Sequence, residues 1–159
     1  MGLIAREIEA AGIPTLGICF GCQLLASALG GRAYRDELEV GLIDLATTTA
    51  GSTDPVVQHL DVPVPAFHYD TWDPPPGAEV LASSSRYRHA FRYGSALGIQ
   101  GHPEATPEVF KTWVAHEADN LVEAGVDASE LVDAIEGAAP ELREMASRVF
   151  RSWLAGVGS

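Results

Sequence analysis

At 159 residues, 47% of them hydrophobic and 20% charged, the chain has the length and balance of one globular domain with a buried core. The formal net charge of −12 is spread along the chain, which speaks against nucleic acid and anionic membrane as partners, since both demand basic patches. No apolar run approaches the length of a bilayer span and no basic-then-apolar leader opens the chain, so the expected location is the cytoplasm.

Leu3, Ile4, Ile8 and Ala11 recur at helical spacing, and Gly12 stops that pattern. Ile13-Pro14-Thr15-Leu16 then opens a short apolar strand that runs into Gly17-Ile18-Cys19-Phe20-Gly21-Cys22-Gln23, followed by a helix from Leu24 to Leu29 that ends at Gly30-Gly31. An apolar strand of this type is normally interior to a parallel sheet, with neighbours on both sides. From Arg32 the residues favour β structure: Val40 to Leu45 is strand-like, and Thr47-Thr48-Thr49 extends it. Asp54 to Leu60 reads as a short turn of helix, and Val62 to His68 as an extended segment whose prolines suit an edge or loop. Asp73-Pro74-Pro75-Pro76-Gly77 is a rigid turn; Ala78–Ala82, Ala90–Tyr93 and Leu97–Gln100 make short strands. The rest, 106–159, is helical. Thr106-Pro107-Glu108 caps a helix with Phe110, Trp113, Val114 and Leu121 along one side, Asp127 or Ser129 caps a second, and a third runs from Pro140. Aromatics at this spacing form a core-facing stripe.

Strand, tight turn and helix with Cys19 between glycines is the layout of a nucleophile elbow. Gly17 and Gly21 are expected to leave room for a strained backbone, and N–H groups at the helix start favour a thiolate. A thiol nucleophile needs a base and the base an orienter. Of the histidines, only His102 stands in a stretch suited to the task, Gln100-Gly101-His102-Pro103-Glu104. Residues two apart in an extended segment project to one side, and Pro103 biases His102 toward that geometry, so Glu104 can hold one ring nitrogen. His68 and Asp70 divide evenly between lining the site mouth and plain solvation. His59, His89 and His116 read as surface or capping residues, and Cys22 as packing.

The elbow together with His102-Pro103-Glu104 resembles the class I, triad-type glutamine amidotransferases. His68-Tyr69-Asp70-Thr71-Trp72 and Pro75-Pro76-Gly77-Ala78 are similar to the stand-alone branch related to the amidotransferase domain of GMP synthase. The resemblance covers most of the chain and implies a flavodoxin-like α/β three-layer sandwich with a mixed or parallel sheet, truncated at the N-terminus, with the helical part at the C-terminal end. It implies Cys19 as nucleophile, His102 as general base and acid, and Glu104 as orienter. Phe20 would give an oxyanion-hole N–H and Gln23 would contact glutamine. The resemblance further implies no metal and no organic cofactor. The substrate would be glutamine or another γ-glutamyl compound, with an ammonia-accepting partner subunit in the first case. Relative to the family pattern, βα units worth roughly 60–80 residues are expected before the elbow's own helix.

Two rival readings stand beside this one. Cys19 and Cys22 form a C-x-x-C, the spacing of a redox dithiol, although that leaves Gly17, Gly21, His102 and Glu104 without a task. A truncated remnant that keeps catalytic residues without a completed site is the other.

Overall fold

The structure is a computed structural model that describes residues 6–7 and 10–157. Most of the helix expected from Leu3 to Ala11 lies outside the described residues.

The elbow strand β1 (Thr15–Ile18) leads directly into helix α1 (Phe20–Ala28). After α1 the chain forms β2 (Arg32–Ile43), β3 (Ala46–Thr47), α2 (Thr49–Thr53) and a 3-10 turn at Val57–His59. Then come β4 (Val64–Asp73), β5 (Glu79–Ser83), β6 (Arg88–Tyr93) and β7 (Ala96–Ile99). The C-terminal helices are α3 (Pro107–His116), α4 (Ala118–Glu123), α5 (Ala128–Gly137) and α6 (Ala139–Val157).

Five strands make a mixed sheet in the order β1-β7-β6-β5-β3, and β2 pairs with β4 in a separate two-stranded ribbon. Among the described residues only β1 and β7 run parallel, in a register from Thr15 opposite Ala96 to Ile18 opposite Ile99. The other pairs are antiparallel. Among the described residues β1 pairs with β7 alone, where the sequence suggested strands on both sides.

Side chains alternate across the sheet and divide the core into two layers. On one face Cys22, Leu25 and Ala26 of α1 pack with Trp72, Phe91 and Ala96. On the other, Ala90, Leu97 and Ile99 meet Phe110, Val114, Leu121, Ile135, Met145 and Val149 from the C-terminal helices. Helices therefore cover both faces, the three-layer arrangement expected. Caps work as the sequence suggested: Thr106 accepts from the Val109 N–H, and Asp127 from the N–H groups of Ser129 and Glu130. None of the helices among the described residues is long and apolar enough to cross a membrane.

Two local expectations are corrected and a third is narrowed. Thr48 and Thr49 do not extend a strand; the Thr48 hydroxyl accepts from the Gly51 N–H at 3.1 Å and caps α2. The helix after Thr106 breaks at Glu117, where the backbone leaves helical geometry between α3 and α4. The extended segment around Pro65 is an edge rather than a loop, and β4 runs beyond it to Asp73; proline fits there because the ribbon leaves β4 with strand partners on only one side.

Candidate active site

Cys19 sits between β1 and α1 with φ 48° and ψ −106°, and it alone among the described non-glycine residues has a positive φ. Strain of this kind costs about 1–3 kcal/mol and survives only where the surroundings fix it. Here its N–H donates to the Ile99 carbonyl at 2.8 Å, tying the elbow to the end of β7. The flanking glycines differ. A Cβ on Gly17 would meet the Gly21 carbonyl oxygen at 2.5 Å and Leu25 Cδ1 at 2.6 Å, so the strand needs glycine to lie against α1. A Cβ on Gly21 meets nothing within 4 Å, so the expectation that both glycines make room holds for Gly17 alone.

His102 follows β7 by a short step. Its N–H donates to the Pro65 carbonyl at 2.7 Å, which pins it to β4, and its Nδ1 lies 2.7 Å from Glu104 Oε1. Its ring packs on Trp113 with centroids 4.5 Å apart. Burial works against an imidazolium here, but the neighbouring Cys19 sulfur and the Glu104 carboxylate outweigh it and push His102 up to about 9. The residues Cys19, His102 and Glu104 thus meet as one connected group. Cys19 and His102 border an open cleft of about 510 Å³, lined also by Phe20, Gln23, His68 and Trp113, with Glu104 behind His102. Phe20 is the first residue of α1 and is 64% exposed. Its N–H belongs to the first helical turn, where the helix itself offers no acceptor.

Gln23 is buried beside the cleft. Its Nε2 donates to the Asp70 carbonyl at 2.8 Å and to Gln100 Oε1 at 3.3 Å. Both amide hydrogens are used, so what Gln23 can still offer a ligand is its oxygen. Cys22 is fully buried, and burial, then the neighbouring Cys19, push its thiol well above the ordinary value.

The sequence reading missed a buried polar cluster. His89, read as a surface residue, is fully buried on β6, and its Nε2 lies 2.6 Å from Glu39 Oε2. His68 Nε2 lies 3.0 Å from the same oxygen, and the Ser84 hydroxyl donates to Glu39 Oε1 at 2.7 Å. Burial disfavours the Glu39 carboxylate, yet these hydrogen bonds hold it well below the usual carboxylate range. One ligand atom each from Glu39, His68 and His89 falls within 4.8 Å of the others, the kind of group that can hold a cation. The separations of 2.6 and 3.0 Å are nevertheless those of shared protons. A metal on His89 Nε2 would also put a hydrogen on Nδ1, which is buried without an acceptor among the described residues. The cluster fits a proton better than a metal. A two-residue period would have placed His89 on the same face as buried Phe91, a signal the sequence did carry. Trp113 was read as core alone; it also lines the cleft against His102.

The family described as glutamine amidotransferase class-I matches residues 1–120. The chain belongs to that family. It is 33% identical over 116 residues to the glutamine amidotransferase-like protein YfeJ of Salmonella typhimurium, covering 69% of this chain and 48% of that protein. It is 32% identical over 126 residues to a glutamine-hydrolysing GMP synthase subunit from Sulfolobus acidocaldarius, covering 72% of this chain and 65% of the Sulfolobus protein. The chain thus spans about half to two thirds of the length of these relatives. The crystal structure of a glutamine amidotransferase from Thermotoga maritima superposes with a TM-score of 0.81 at 29% identity, over 96% of this chain and 67% of that one. The amidotransferase-family fold is therefore this chain's fold, a flavodoxin-like α/β arrangement with a mixed sheet.

Proposed function

We propose that this class-I amidotransferase chain hydrolyses the side-chain amide of glutamine through Cys19, His102 and Glu104. The observation that carries the reading is the linked geometry at the elbow. A cysteine in a strained backbone at a helix start shares one cleft with a histidine whose imidazolium it favours, and that histidine is held by a carboxylate at 2.7 Å.

The Cys19 thiolate attacks the amide carbon, and the developing oxyanion takes a hydrogen bond from the Phe20 N–H. The His102 imidazolium gives its proton to the departing nitrogen, ammonia leaves, and a γ-glutamyl thioester remains on Cys19. Neutral His102 then takes a proton from water, the hydroxide adds to the thioester, and glutamate departs as the C–S bond breaks. Glu104 keeps His102 oriented and stabilises its positive charge. The free oxygen of Gln23 suits the α-ammonium of glutamine. The Sulfolobus relative is named as one subunit of GMP synthase, which supports an ammonia-accepting partner for this chain as well.

The redox alternative asks Cys22 to ionise and exchange. A thiol that is fully buried and pushed well above its ordinary value is poorly suited to that task. The test is ammonia release from glutamine, together with peptide mapping after treatment with a glutamine-like electrophile. Labelling at Cys19, lost in His102→Ala, is the expected result. Labelling at Cys22 with Cys19 untouched would overturn the assignment.

A further inference from the structure

Gln100 has no part in the chemistry above, yet it is fully buried at the end of β7, with its Nε2 3.6 Å from Cys19 Sγ. We propose that Gln100 is a positioning residue that donates a hydrogen bond to the Cys19 sulfur, independently of His102, and so holds the nucleophile in its attacking rotamer. The inference rests on the reading of Cys19 as nucleophile.

The orientation of the Gln100 amide is forced by a chain of buried groups. The Asp70 carbonyl can only accept. The same carbonyl takes a hydrogen from Gln23 Nε2 at 2.8 Å, which fixes the Gln23 amide. The second hydrogen of Gln23 Nε2 goes to Gln100 Oε1 at 3.3 Å. With its oxygen committed, Gln100 can turn only its NH₂ toward the sulfur. Its backbone is fixed as well, because its N–H donates to the His89 carbonyl at 2.7 Å. The donor is therefore preorganised, and it costs no rearrangement as charge gathers on sulfur.

His102 must release its proton to the leaving amine during each turnover. A neutral amide donor keeps its hydrogens throughout, so it can steady the sulfur at every step and at every pH. Gln100 does not line the cleft; its NH₂ faces the sulfur while its oxygen holds Gln23, so a reagent that attacks the sulfur without binding as glutamine reads the donor alone.

Two variants test this. Gln100→Met keeps the length and removes both the donor to sulfur and the oxygen that accepts from Gln23; Gln100→Asn keeps an amide too short to reach the sulfur and stands in where the first does not fold. Each is compared with the unaltered chain for thermal unfolding, glutamine turnover and iodoacetamide labelling of Cys19. The expected result is about a 10-fold loss in kcat and a similar slowing of labelling near pH 6, with any rise in KM traced to the released Gln23. The alkaline limb set by His102 stays in place. Folded variants with unchanged kcat and labelling, or with the whole loss in KM, would overturn the proposal. Iodoacetamide needs no glutamine, so labelling judges Gln100 even where the unaltered chain releases no ammonia. In that case it is the amidohydrolase reading that falls.

Discussion

Gly17 and Gly21 stand symmetrically about Cys19, and the elbow motif treats them alike; the structure predicts opposite signs on replacing them. Neither has a left-handed φ, so the outcome turns on space alone. An alanine Cβ at position 17 would lie 2.5 Å from the Gly21 carbonyl oxygen, 2.6 Å from its carbon and 2.6 Å from Leu25 Cδ1. Leu25 can turn aside, but the backbone of α1 can move only by lifting the helix off β1. Overpacking of this kind costs about 1–3 kcal/mol, and a backbone clash places Gly17→Ala near the upper end. For a chain of this size that is about 6–12 °C in melting temperature. Gly21→Ala meets open space inside a helix, where alanine is favoured by about 0.5–1 kcal/mol, so melting should rise by about 1–4 °C. Thermal unfolding by circular dichroism measures both. Equal melting for the two variants, or a loss for Gly21→Ala as large as that for Gly17→Ala, would refute the reasoning.

Ammonia release should fall as pH rises through about 9, because His102 there loses the proton it gives to the leaving amine; Glu104→Gln should bring that limb down by about one pH unit, read from a pH–rate profile. The same raised value makes the His102 contribution to stability full below its ordinary 6.5 and lost as pH rises through about 9, which urea midpoints near pH 6 and pH 10 will report. Cys22→Ala should keep glutamine turnover at a cost of about 1 kcal/mol in stability, whereas Cys19→Ala abolishes turnover; equal loss of activity in both would restore the dithiol reading. Asp54 accepts from Arg92 Nε at 2.7 Å and from the N–H groups of Val56 and Val57 at 2.9 Å, so Asp54→Ala should cost about 2 kcal/mol in urea unfolding. A change under about 0.5 kcal/mol would show those partners find water instead.

The elbow and the His102–Glu104 pair were legible because their determinants are local. A strand, a tight turn, a helix start and a two-residue spacing are all encoded within a few residues, as are the Thr106 and Asp127 caps. Glu39, His68 and His89 lie on different strands, and nothing local announces their contact. The β2–β4 register that opposes Glu39 to His68 follows an irregularity between Arg35 and Glu39, which no alternation rule could place. Glu39 is buried while its apolar neighbours Leu38 and Val40 are only half-buried, the reverse of the pattern that marks a core position. Thr48 misled for a different reason. Its β propensity is real, but a hydroxyl within reach of an N–H two or three residues on competes with strand pairing, and capping won.

The one parallel pair among the described residues explains why Cys19 and His102, the proposed nucleophile and base, meet at all. Both β1 and β7 run in one direction, so Cys19 and His102 leave the sheet at the same carboxyl end, where ligands collect in α/β folds. Had β7 paired antiparallel to β1, as it does to β6, the residues after Ile99 would emerge beside Thr15 rather than beside Ile18. The bond from the Cys19 N–H to the Ile99 carbonyl then does two things at once. It finishes the parallel ladder, and it holds the strained residue at a fixed height above the strand that delivers Gln100 and His102. The proposed catalytic assembly is therefore set by strand direction before any side chain is chosen. Substitutions that disturb the β1–β7 register should move Cys19 away from His102 and Gln100 together, losing the Gln100 bond in the same step.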